Sequence, residues 1–122
     1  WLMQFKQNGL GIAKAAVAKG DWTMVAQLEF AYHQMFSGSL LAQLTGSDPA
    51  QGYAYLKLRR LGARGKDAAY FDSQLAVEAQ GLPADVISAG DAWAQDTYQH
   101  YFGAKPTNDA VYNVNICQSA DD

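Results

Sequence analysis

The stretch from Asp48 to Gly65, DPAQGYAYLKLRRLGARG, constrains the fold more than any other part of the chain. Asp48 is a helix-capping residue, Pro49 suits the first helical position, and Gln51 stands three residues after the cap, where a capping box closes. Tyr53-Ala54-Tyr55-Leu56-Lys57-Leu58 forms the helix body, and Gly62 and Gly65 offer two exits. A helix with this many large side chains needs neighbours to cover them, so the rest of the chain has to supply that cover.

The remaining periodicity supplies four more helices. Residues 1–19 carry an apolar face at Ile12, Ala15, Ala16 and Val17, interrupted by Gly9 and Gly11. Gly20-Asp21 breaks this helix and caps a second, expected over residues 22–37, with Trp22, Val25, Ala26, Phe30, Tyr32, Met35 and Phe36 as a wide apolar stripe. Ser39 to Ser47 is a linker too apolar for a solvated loop, and its Leu40, Leu41 and Leu44 predict a fold-back with a helical turn. The Asp48 helix is third. A fourth, over residues 66–80, places Ala68, Phe71, Leu75 and Ala79 on one face. After Gly81, Leu82-Pro83 opens a fifth that runs to Gly103. Short connections imply antiparallel packing of consecutive helices. The expected fold is all-α, about five helices in antiparallel hairpins over residues 1–103. Residues 104–122 are expected to form an extended or partly disordered tail, with Val111 to Ile116 alternating like a strand.

Composition narrows the classes. With 122 residues and half of them apolar, the chain suits one globular domain that needs no metal or disulfide staple. Cys117 is the single cysteine, so neither an internal disulfide framework nor a cysteine-rich zinc site is available. No apolar run is long enough to predict a membrane span. Net charge is -3, unevenly placed: residues 1–66 hold eight Lys/Arg against three Asp/Glu, and residues 67–122 hold one against nine. Five of the nine basic residues lie between Lys57 and Lys66. This asymmetry suits electrostatic steering of a charged partner. One short basic cluster on an acidic chain argues against nucleic acid.

The order of small, glycine and aromatic positions carries one resemblance. Ala26-Gln27-Leu28-Glu29-Phe30-Ala31 is followed by Ser37-Gly38, Asp48, Tyr53-Ala54-Tyr55-Leu56, Leu58 and Gly65, and Ala68-Ala69 stands where a next unit would begin. Leu75, Leu82-Pro83-Ala84-Asp85 and Ala92-Trp93 close the series. This order resembles the Sel-one-like repeat, a relative of the tetratricopeptide repeat, over about residues 12–98. The sequence departs from that pattern in several places. Ala31 stands where the family has glycine, Gly52 where it has alanine, and Arg59-Arg60 in place of two small residues; the linker before Asp48 is long. The resemblance implies a short α-solenoid and a binding role, as adaptor, inhibitor or immunity protein in bacteria, often in the envelope. Trp1 in place of an initiator methionine suits a processed periplasmic or secreted chain, with a cytoplasmic one left open.

Chemistry-bearing residues are sparse. Glu29 and His33 share a helix face, but two residues do not fill a metal coordination sphere, and the second histidine of an H-E-x-x-H pattern is missing. His100 suits a helix C-terminus. The carboxylates Asp72, Glu78, Asp85, Asp91 and Asp96 read as a solvated acidic face. No nucleophile elbow or dinucleotide loop is present. The expectation is therefore a non-enzymatic module with no cofactor, metal or catalytic residue, binding one other protein. Its partner surface is expected to include Tyr32, His33, Tyr70 and Asp72, by analogy with the concave face of helical repeats. Arg59, Arg60 and Arg64 are expected to be exposed anchors. Two alternatives stay open: a small-ligand or lipid-binding domain, suggested by the aromatics and the apolar linker, and a hydrolase using Glu29 with a distant carboxylate.

Overall fold

Three of the helices begin where a short polar side chain takes over an unpaired amide. In the computed structural model, which describes residues 2–105 and side chains from residue 8 onward, Asp21 accepts from the Met24 amide at 3.1 Å and opens α2 (Trp22–Tyr32). Ser39 accepts from Ala42 at 3.1 Å and opens α3 (Leu40–Thr45). Asp48 accepts from Gln51 at 3.2 Å and opens α4 (Pro49–Gly62), with Pro49 in the first turn. Each such cap is worth about 1 kcal/mol. The other helices are α1 (Leu2–Val17), α5 (Gly65–Ala79) and α6 (Ala84–Phe102). Gly103 closes α6 with φ 63°, a left-handed conformation that glycine adopts without steric cost.

α4 is the centre of the molecule, packing on α6, α2 and α5. Its direction follows from its contacts. Near its start Gly52 meets His33 at the end of α2, and near its end Arg59 meets Glu29 one turn earlier in α2. α2 and α4 are therefore antiparallel. α5 reverses again after a two-residue link, bringing Asp72 to Arg60 and Glu78 to His33.

Two apolar clusters hold these elements. One joins α1, α2, α4 and α6 through Val17, Trp22, Val25, Leu28, Tyr32, Tyr55, Leu58, Ala94 and Tyr98. The other joins α4 and α5 through Tyr53, Leu56, Ala63, Phe71 and Leu75, with Ile87 of α6 against it. Each large side chain buried in this way contributes about 1.5–3 kcal/mol.

The all-α architecture of antiparallel hairpins stands, with six helices among the described residues because the Ser39–Ser47 linker folds back as α3 and packs on α1 and α2. The expected face of α5 is the observed one: Phe71 and Leu75 are buried, with Ala68 and Ala79 packed beside them. One boundary differs substantially. α2 ends at Tyr32 rather than residue 37, so Met35 and Phe36 leave the apolar stripe and stand 57% and 62% exposed. The cause is Gln34, at φ 57°, whose side-chain amide donates to the carbonyls of Ala31 and Ala42, both at 2.9 Å. No helix among the described residues is long and apolar enough to cross a membrane. The extended segment expected at Val111–Ile116, with Cys117, lies outside the described residues.

Candidate functional site

An ionic network ties α2, α4 and α5 together beneath a groove. Arg59 is 1% exposed, and its Nη1 donates to Glu29 Oε1 at 2.6 Å. The Glu29 Oε2 atom accepts from His33 Nδ1 at 2.5 Å, one helical turn away. His33 Nε2 then donates to Glu78 Oε1 at 2.7 Å, crossing from α2 to α5. The guanidinium of Arg59 is sandwiched between two rings, 5.0 Å from the Phe30 centroid and 4.8 Å from that of Phe71. Two acids and two bases thus balance, Glu29 and Arg59 buried and His33 and Glu78 part-buried, and pairing is the condition under which buried charges persist.

The protonation state of His33 follows from these partners. Burial alone would lower its pKa. Hydrogen bonds to Glu29 and Glu78, and the fields of the same carboxylates, outweigh burial and raise the pKa to about 10. His33 is therefore an imidazolium at neutral pH, donating from both nitrogens. It is also the C-cap residue of α2, where a positive charge meets the negative end of the helix dipole. Burial lowers the pKa of Arg59, and the Glu29 carboxylate opposes that shift.

The network has chemical consequences. An imidazolium with both nitrogens hydrogen-bonded offers no lone pair to a metal and is no general base at neutral pH. Glu29 has both oxygens engaged, by Arg59 and His33, and is almost fully buried. Among the described residues no group of three His, Cys, Asp or Glu side chains is arranged to hold a metal ion.

Above the network lies the groove, about 230 Å³, between α2 and α5. Phe30, His33 and Met35 line one wall, and Tyr70, Phe71, Gln74 and Glu78 the other, with Leu56 and Arg59 of α4 beneath. Two of its lining side chains are large and accessible, Met35 at 57% and Tyr70 at 50% exposed; Phe36, outside the lining, meets the groove residue Phe30 edge-on and is 62% exposed. A second hollow of about 350 Å³ lies between Lys14 of α1, Gln51 and Tyr55 of α4, and Trp93, Thr97 and Tyr101 of α6. Neither is the closed apolar chamber a lipid would need.

The structure brings together only part of the expected surface. His33 and Tyr70 both line the groove, His33 beside Glu78 near the end of α5 and Tyr70 toward its start. Tyr32 does not join them: it is buried and stacks on Tyr55 at 5.7 Å, because neighbouring helical residues point about 100° apart. Asp72 is exposed and turned away from the Tyr70, Gln74 and Glu78 face of α5, outside the groove lining, and pairs with Arg60 at 2.6 Å. Arg59, expected as an exposed anchor, is instead among the most buried side chains. Arg60 is half-buried in its pair with Asp72, and Arg64 is exposed at the N-cap of α5. The basic cluster is thus largely paired within the protein, with Lys57 also 4.0 Å from Asp91.

Gln74 is a site residue that the sequence pattern does not single out, and Glu78 enters that pattern only as one acid among several. The available signal is spacing: Tyr70, Gln74 and Glu78 recur every fourth residue and so share one face of α5. No protein-family model, curated protein or solved structure matches the chain.

Proposed function

We propose that this chain is a non-enzymatic protein-binding domain whose partner docks into the groove between α2 and α5. The observation that carries this reading is the groove lining, where Met35 and Tyr70 stand half-way or more out of the protein over fixed, mutually paired charges. Methionine and aromatic side chains are the residue types that adapt to and anchor protein partners. A volume of about 230 Å³ is smaller than small-molecule pockets of roughly 300–1,000 Å³ and suits one or two inserted side chains. The locked His33 and Glu29 weigh against a hydrolase. The order of motifs resembling Sel-one-like repeats adds weight to a binding role and suggests a bacterial envelope adaptor, inhibitor or immunity protein as its setting.

Affinity capture from the source lysate tests the site. The comparison is between the wild type, a Met35→Glu/Tyr70→Glu variant, and an Ile12→Glu control at a 70% exposed position on α1. The groove variant should lose the captured partner while the control keeps it. Equal capture by the groove variant, with its helix content intact by circular dichroism, would remove the groove from consideration.

A further inference from the structure

The charges of the groove are layered by depth, and the layering selects a partner. Arg59 lies on the floor, 1% exposed, and His33 in the α2 wall, 20% exposed with both ring nitrogens engaged. The groove's most accessible ionised group is Glu78, whose side chain is 25% exposed. Its Oε1 takes the His33 hydrogen bond, and the residue lines the groove. On the same face of α5, Gln74 and Tyr70 continue toward the helix start, one and two turns away.

We infer that the groove takes a partner segment bearing an arginine or lysine that pairs with Glu78, together with an apolar residue that packs against Tyr70 and Met35. The inference rests on the groove being the binding site, and adds the chemistry of the anchor. A carboxylate that is 25% exposed and bonded to His33 through one oxygen keeps acceptor capacity for a partner's cation, whereas both nitrogens of His33 are engaged and Arg59, 1% exposed, is out of reach of a partner's acid. Tyr70 and Glu78 are eight residues apart, roughly 12 Å along the helix. Three to four extended residues cover that span, so the apolar and basic anchors belong three or four positions apart.

The test uses four capped tetrapeptides, acetyl-Trp-Ser-Ala-X-amide with X as Arg, Lys, Gln or Glu, titrated into the full chain while amide NMR shifts are followed. The Arg and Lys peptides should shift Met35, Tyr70, Gln74 and Glu78, with Gln about tenfold weaker and Glu weaker still. Glu78→Gln keeps an oxygen that can accept from His33, and should erase the difference between the Arg and Gln peptides. Tyr70→Leu should weaken all four alike. Equal binding of the four, or tightest binding of the Glu peptide, would overturn the basic anchor while leaving the groove in place. Absence of shifts at the groove with every peptide would overturn it as well, and the capture comparison above then decides the groove separately. Should Glu78→Gln fail to fold, the charge series on the wild type alone separates a basic anchor from none.

Discussion

Gly52 shows how one missing side chain organises the site. A Cβ added there would stand 2.7 Å from Nε2 and 2.8 Å from Cε1 of His33, closer than such atoms approach. The imidazole can lie flat on α4, and so reach both Glu29 and Glu78, only because residue 52 is glycine. Helix propensity alone favours Gly52→Ala by about 1 kcal/mol. The contact predicts the opposite: Gly52→Ala lowers the thermal midpoint, whereas the same change in a His33→Ala background is neutral or raises it. Thermal melts of the four proteins measure this coupling. The Glu29–His33 pair is legible in the sequence as a shared helix face. Its connection to Arg59 and Glu78 is not, because those partners come from 30 and 45 residues away along the chain. An Arg-Arg pair in a sequence looks solvated, and only the tertiary arrival of Glu29 lets Arg59 be buried.

The elements are more readable than the site. Asp21, Asp48 and the proline after it mark true helix starts, and the periodicity of α5 gives its buried face. The end of α2 is hidden from the sequence because glutamine carries little turn signal of its own, and the side-chain bonds of Gln34 that hold the exit reach to α3. That early exit releases Met35 to the groove and leaves Phe36 exposed against Phe30. α5 is joined to α2 chiefly through side chains, the His33–Glu78 bridge and the Phe30–Arg59–Phe71 stack. The bridge has a pH dependence of fixed sign. His33 titrates near 6.5 unfolded and about 10 folded, so its stabilisation is complete below about 6.5 and disappears as pH rises toward 10. The stability advantage of wild type over His33→Gln should therefore shrink steadily from about pH 6 to about pH 10 in thermal denaturation. A difference independent of pH would show that the bridge does not act through charge.

At the scale of the whole molecule, part of the split of charge along the sequence closes in space, through Arg60 with Asp72 and Lys57 with Asp91. Arg59 meets Glu29, Arg60 meets Asp72, and Lys57 approaches Asp91, so basic α4 is flanked by the acids of its neighbours. What distinguishes the surface is instead the α2–α5 groove, held open by α4 beneath it and rimmed by exposed aromatic and methionine side chains. A photoreactive amino acid introduced at Tyr70 or at Tyr101 separates this groove from the second hollow, since the two positions are 50% and 47% exposed. On irradiation with the partner bound, the Tyr70 position should give a covalent adduct with it and the Tyr101 position should not. An adduct from Tyr101 alone, or equally from both, would contradict the assignment of the groove as the binding site.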